Sequence, residues 1–146
     1  MRVMVMIKGT GADEDKVAPN EEMFAVMGAY NEELVKAGIM LGGDGLLPSK
    51  DGAKVVWEGG ETTVVDGPFT EAKEIIGGYW IWEVRSLEEA IEWAKRCPKD
   101  SAYGASQILE IRPFATFEDF GEAFTPELQA KEEALAAEIR AQHPGA

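Results

Sequence analysis

Histidine and cysteine are nearly missing from this chain, which holds one of each, His143 and Cys97. A single cysteine excludes an intrachain disulfide framework, and one thiol plus one imidazole fall short of the donors a zinc site needs. Positive charge is also scarce. Lys and Arg number 14 against 27 Asp and Glu, giving a formal net charge of −13. Such a surface repels phosphate backbones, whose capture depends on cations displacing condensed counterions, and it repels anionic bilayers for the same reason. No apolar run approaches the ~18 residues of a membrane span, and residues 1–8 are too short for a secretory signal. No P-loop, dinucleotide glycine fingerprint or nucleophile elbow is present. These absences lead us to expect a cytoplasmic protein with no metal and no other cofactor, and with neither nucleic acid nor membrane as a partner.

The rest of the composition is that of a globular domain, with 45% hydrophobic and 28% charged residues over 146 positions. That length is enough for one substantial core. Val3 to Ile7 is a short apolar run and reads as a buried strand. Gly9-Thr10-Gly11 breaks it, and residues 12–19 are charged and end in Pro19, as a surface loop would. Asn20 is a good N-cap, with Glu21 and Glu22 placed to favour the first turn. Met23, Met27, Tyr30, Leu34 and Ala37 then recur at helical spacing as far as Gly38. Ile39-Met40-Leu41 opens a second strand. The glycines of Gly42-Gly43-Asp44-Gly45 signal a bulge or a close backbone approach there, and no Lys-Ser/Thr pair follows them to make a phosphate cradle.

Residues 54–58 and 61–65 flank Gly59-Gly60 and read as a hairpin. Residues 70–76 suggest a short helical turn, and Tyr79 to Val84 a strand of high β propensity. Ser86 with Glu89 forms a capping box for a helix whose expected buried stripe is Leu87, Ala90, Ile91 and Ala94, ending before Pro98. A loop over residues 99–106 leads to an alternating strand from Gln107 to Arg112. The order strand, helix, strand, hairpin, strand, helix, strand predicts an α+β fold, a ferredoxin-like βαββαβ unit with an inserted β-hairpin. Tyr79 and Ile81 face one way along their strand and Trp80 and Trp82 the other. Helices on one side cannot cover both faces, so a homodimer packed sheet to sheet is expected. Beyond Pro113, the spacing of Phe114, Phe117, Phe120 and Phe124 and the Thr125-Pro126 helix start mark a separate C-terminal helical extension. The expected division is residues 1–114 and 115–146.

Residues 66–74, Asp-Gly-Pro-Phe-Thr-Glu-Ala-Lys-Glu, are the segment best suited to chemistry, and two readings apply. In one it is a structural corner, where the Asp66 carboxylate accepts the N–H groups of its own turn and Phe69 plugs the core. In the other, Asp66, Glu71, Lys73 and Glu74 crowd charges of both signs at a sheet end, where they can orient a polar ligand. Asp66-Gly67-Pro68-Phe69, followed by Glu71, Lys73, Glu74 and Gly77-Gly78-Tyr79, resembles the DGPF branch of the YCII-related family. The stretch from Tyr30 to Gly38, Gly45-Leu46 and Glu110 to Pro113 are similar to it too, so that the resemblance covers about residues 1–114.

The resemblance implies a dimeric ferredoxin-like α/β barrel. In simpler members a His–Asp pair is suspected of acid–base work, and those positions hold Met27 and Cys97 here. Neither replaces an imidazole held by a carboxylate, which leaves Asp66 as the candidate catalytic acid or base. A cleft between the sheet end and the first helix would be lined by Tyr30, Phe69, Glu71 and Lys73, with Trp80 or Trp82 as an apolar wall and Lys73 as the anchor for an anionic or carbonyl group. Cys97, with Arg96 and Lys99 nearby, raises the further idea of a thiol of lowered pKa. The alternative to a small polar ligand is a non-catalytic role, in which the acidic surface and the Phe-rich tail meet a partner protein or the tail covers its own dimer.

Overall fold

The structure is a computed structural model that describes residues 1–16, 18, 20–99 and 107–145. It divides into two compact units, Met1–Phe114 and Ala115–Ala146. The first unit contains β1 (Arg2–Gly9), α1 (Glu21–Lys36), β2 (Met40–Gly45), β3 (Ala53–Glu58), β4 (Glu61–Asp66), β5 (Ile75–Glu83), α2 (Leu87–Lys95) and β6 (Ile108–Pro113). Four strands form one antiparallel sheet in the order β2-β5-β1-β6, and β3 and β4 form a second, two-stranded sheet. This mixed α+β arrangement, with the hairpin inserted between the second and third strands of the main sheet, is consistent with a ferredoxin-like fold.

Local chemistry explains most of the boundaries. The Asn20 side chain accepts the Met23 N–H at 2.8 Å, and Gly38 ends α1 with φ of 72°. Tyr30 and Leu34 are buried on this helix and Met27 packs against them, whereas Ala37 is exposed. On α2, Ser86 accepts the Glu89 N–H at 3.2 Å, but the Glu89 carboxylate reaches back to the Arg85 N–H rather than that of Ser86. The expected stripe on α2 also needs correction. Leu87 and Ile91 are each 38% exposed, and the helix packs through Ala90, Trp93 and Ala94, with Cys97 beyond it.

β5 starts earlier than Tyr79. Ile75 and Ile76 already pair with Gly9 and Lys8, so Gly77-Gly78 lies inside a strand and is not a break. The physical reason is crowding: a Cβ on Gly78 would stand 3.2 Å from the Asp44 carbonyl oxygen. Before it, residues 70–74 hold one tight turn, Ala72 N–H to Phe69 carbonyl at 3.0 Å, and no helix. β2 carries the expected irregularity, since its register shifts between Met40 and Gly42. The loop prediction for 99–106 falls almost wholly outside the described residues, as do Val17 and Pro19.

Val3 and Val5 of β1 and Trp82 of β5 have no exposed surface, and with Trp80 they meet Tyr30, Leu34 and Ala90 of the two helices. Alternation along the strands sends Met4, Met6, Tyr79 and Ile81 to the opposite face. Lys8 lies on that face too, its ammonium 2.8 Å from Glu74 and 3.4 Å from Glu110, and these contacts, the Glu74 hydrogen bond first, raise its pKa.

The second unit is a 3-10 segment, Phe117–Ala123, followed by α3 (Pro126–Gln142). Thr116 and Asp119 cap the segment reciprocally, and Thr125 caps α3 through the Leu128 N–H. Phe117 stacks on Phe124 at 5.1 Å, and Phe120 lies 5.6 Å from Phe124. Phe114 belongs to the first unit, where the Arg2 guanidinium sits 4.9 Å above its ring.

Candidate functional site

Asp66 is the last residue of β4, and the turn that follows is seated on two loops from earlier in the chain. The Gly67 N–H donates to the Gly52 carbonyl at 3.0 Å, and the Gly11 N–H donates to the Ala72 carbonyl at 2.9 Å. The Phe69 N–H donates to the Ser49 hydroxyl oxygen at 2.8 Å. Ser49 is only 7% exposed and is the buried polar residue of the described core. Glu14 holds it in turn: one carboxylate oxygen accepts the Ser49 N–H at 2.8 Å, and the other accepts the Ser49 hydroxyl proton. Glu14, Ser49 and Phe69 therefore form a continuous chain of hydrogen bonds in which the serine hydroxyl both donates, to Glu14, and accepts, from Phe69. The Gly67–Pro68 bond is cis.

This arrangement corrects the structural reading of the motif in two places. The acceptor for the turn is Ser49, 20 residues away in sequence, and not the Asp66 carboxylate. Phe69 is half-buried and stays outside the hydrophobic core, and the Lys54 ammonium lies 4.2 Å from its ring centre.

The six expected site residues fall into two groups. Asp66, Glu71 and Lys73 are exposed and Phe69 is half-buried, and none of the three charged side chains pairs with another described residue. Tyr30 and Trp80 lie in the core. Their rings meet edge to face at 6.0 Å, the Tyr30 hydroxyl donates to the Trp93 carbonyl at 2.7 Å, and Trp80 Nε1 donates to Asn31 at 2.9 Å. Burial pushes the Tyr30 phenol far above its usual range, so it stays protonated and occupied as a donor. Two surface depressions stand out. One is lined by residues such as Gly38, Val84, Arg85 and Glu89, the other by Thr116, Phe117, Glu118 and Gln129, and neither includes any of the six.

Met27 packs half-buried against the core, and Cys97 is 8% exposed. Burial raises the Cys97 thiol to about 11, opposite to the lowering expected from its basic neighbours. The neighbouring Arg96 lies 2.6 Å from Glu33 and 4.1 Å above the Trp93 ring. Among the described residues no three His, Cys, Asp or Glu side chains gather as a metal site requires.

Sequence reasoning did not single out Gly11, Glu14 or Ser49. No local spacing connects them to the motif, and only the short 3-10 turn opened by Pro48 hints that residue 49 has a fixed place.

Comparison with known proteins places a family and a relative beside this chain. The YCII-related domain matches residues 1–115. An uncharacterised protein of Rhizobium meliloti (strain 1021) is 31% identical over 98 residues, which span 67% of this chain and 77% of that protein.

Proposed function

The chain belongs to the YCII-related family, and from that premise we propose that it is a small-molecule-binding homodimer or enzyme of the DGPF branch, acting in the cytoplasm through the corner at Asp66. Asp66 is the acid or base, Lys73 the anchor for an anionic or carbonyl group, and Glu71 and Phe69 the walls beside them. Tyr30 and Trp80 act from beneath, by fixing α1 against β5. The family domain is residues 1–114 and the helical extension 115–146.

One observation carries this reading. A turn whose only task is to close a corner would use its own aspartate as the acceptor. Here Ser49 and Glu14 do that work from a distance, and the Asp66 carboxylate is left exposed and unpaired among the described residues. The corner is thus held by the buried Ser49 and the half-buried Glu14, which contribute nothing to the hydrophobic core, as a preorganised site requires. The sheet face that alternation turns away from the helices is apolar, carrying Met4, Met6, Tyr79 and Ile81, and this supports the sheet-to-sheet dimer, a dimeric α/β barrel.

The test is a thermal-shift screen of carboxylate and carbonyl metabolites on the wild type and on Asp66→Asn. The exposed substitution should leave the free protein within about 0.5 kcal/mol of wild type. A metabolite that raises the wild-type midpoint by mass action should leave the variant unmoved. Equal shifts in both proteins would remove Asp66 from the site.

A second reading keeps the protein non-catalytic and assigns partner binding to the acidic surface and the tail. It is favoured by the exposed Phe120, Leu135 and Ile139 of the extension, at 54%, 52% and 59%. A chain truncated after Phe114 should then capture no partner, and capture that survives the truncation excludes the tail.

A further inference from the structure

The β3–β4 hairpin is the least covered part of the first unit. Every residue of β4 is exposed, Val56 alone is partly buried on β3, and Trp57 stands 75% exposed. A two-stranded hairpin by itself is marginal in water, and each of its strands has an outer edge that no other described strand pairs. Neither strand contains a bulge or a proline to blunt that edge.

The free edge of β3 has a definite hydrogen-bonding phase. Gly59 and Gly60 have φ of 59° and 78°, the signature of a type I′ turn, and Glu58 lies opposite Glu61. A two-residue turn makes that closing pair a hydrogen-bonded one. The backbone groups of Lys54, Val56 and Glu58 are thereby turned inward to β4, and those of Ala53, Val55 and Trp57 are turned outward. Any strand added antiparallel to β3 must use the outward groups.

If the added strand is another β3, this phase leaves a few symmetric registers, and charge separates them. Centring the twofold on Val56 sets Val55 opposite Trp57, Trp57 opposite Val55, and Lys54 opposite Glu58 at both ends. Centring it on Val55 or on Trp57 leaves Lys54 or Glu58 opposite an apolar residue. The Val56 register thus forms two opposite-charge pairs and two aromatic–β-branched pairs, each of which stabilises a cross-strand contact. β4 offers nothing comparable, because its two charged residues, Glu61 and Asp66, are both acidic. In a chain of net charge −13, β3 is an edge along which two copies can meet without repulsion.

We propose that β3 pairs with β3 of a second copy about a twofold axis at Val56, joining two hairpins into one four-stranded sheet. The contact is isologous, as twofold contacts are. It also reaches the corner, since Lys54 already lies against the Phe69 ring and would bring Glu58 of the second copy to its rim. The proposal does not depend on any reaction at Asp66.

Disulfide trapping in the full-length protein tests it. Directly opposed residues in a non-hydrogen-bonded antiparallel pair lie about 4.5 Å apart at Cα, within the range a disulfide spans. Under mild oxidation V56C should cross-link into a covalent dimer on a non-reducing gel. V55C, whose counterpart is Trp57, should not, and neither should the wild type with its buried Cys97. Adding Lys54→Glu to V56C sets like charges opposite one another twice and should slow cross-linking about tenfold, and adding Glu58→Lys as well should restore the rate. Failure of V56C to cross-link, cross-linking by V55C instead, or a rate indifferent to both charge changes would overturn the proposal. None of these readouts involves a ligand, so they stand apart from the Asp66 test.

Discussion

Replacing Gly67 by alanine should cost about 3 kcal/mol of stability, a large share of what a domain of this size has. The reason is space, not backbone angle, because the φ of Gly67 is not positive. An added Cβ would lie 1.6 Å from the Ser49 carbonyl oxygen and 2.5 Å from its carbon. Those are backbone atoms of a buried residue, so no side chain can swing aside. The turn must withdraw from Ser49, and in doing so it loses the Gly67 N–H bond to Gly52 and the Phe69 N–H bond to Ser49. Each intact bond contributes about 1 kcal/mol, and the Ser49 hydroxyl oxygen, left without the Phe69 donor, adds a cost of the same order. Gly9→Ala is the control. It is close in sequence to the Gly11 that supports the same turn, yet its Cβ would meet nothing within 4 Å, so it should stay within about 0.5 kcal/mol of wild type. Denaturant unfolding of the two variants checks both statements. Amide exchange should show protection lost at Phe69 in Gly67→Ala while β1 and β5 keep theirs, because the corner supplies no residue to the core. A Gly67→Ala protein as stable as wild type would mean that the turn is not seated on Ser49.

The same corner shows where sequence reading works and where it stops. The limits of α1 were legible because Asn20 and Gly38 act on the backbone within a turn of where they stand. The hairpin was legible because two glycines of positive φ between β-branched runs leave the chain few alternatives. The alternation of Tyr79 and Ile81 against Trp80 and Trp82 placed two faces on one strand, and the register with Val3 and Val5 shows which of them meets the helices. The start of β5 was read too late, at Tyr79, because glycines are poor strand formers, whereas here Gly77-Gly78 admits the close passage of β2 along β5. On α2, Leu87 and Ile91 have the right spacing for burial, yet Ala90, Trp93 and Ala94 have it equally, and only the neighbouring elements decide between the two stripes. The candidate site was half legible. Asp66, Phe69, Glu71 and Lys73 could be named from the sequence because one short motif contains them all. Ser49 lies 20 residues before Phe69 and Glu14 lies 35 before Ser49, separations over which no periodicity carries information.

Trp82→Ala should be the most damaging substitution in the core. Trp82 is fully buried between β1, β2 and the helices, directly opposite Val3 and Met40 and 6.0 Å from Trp80. Removing a buried indole forfeits its transfer energy and leaves a cavity that close-packed neighbours only partly fill, a loss of about 3–5 kcal/mol. Trp82→Phe separates two contributions to that figure. The Trp82 Nε1–H is buried with no hydrogen-bond partner among the described residues, a condition that itself costs roughly 1–3 kcal/mol. Phenylalanine loses part of the packed volume but also removes the unsatisfied donor, and the two effects oppose each other. The phenylalanine variant should therefore lie within about 1.5 kcal/mol of wild type, and the alanine variant well below it. Urea unfolding followed by circular dichroism measures both without depending on the fluorescence that the substitution removes. A phenylalanine variant as unstable as the alanine one would show that the indole N–H has a partner after all. An alanine variant close to wild type would contradict the placement of Trp82 at the centre of the core, and with it the register of β5 against β1 that sends Tyr79 and Ile81 to the face away from the helices.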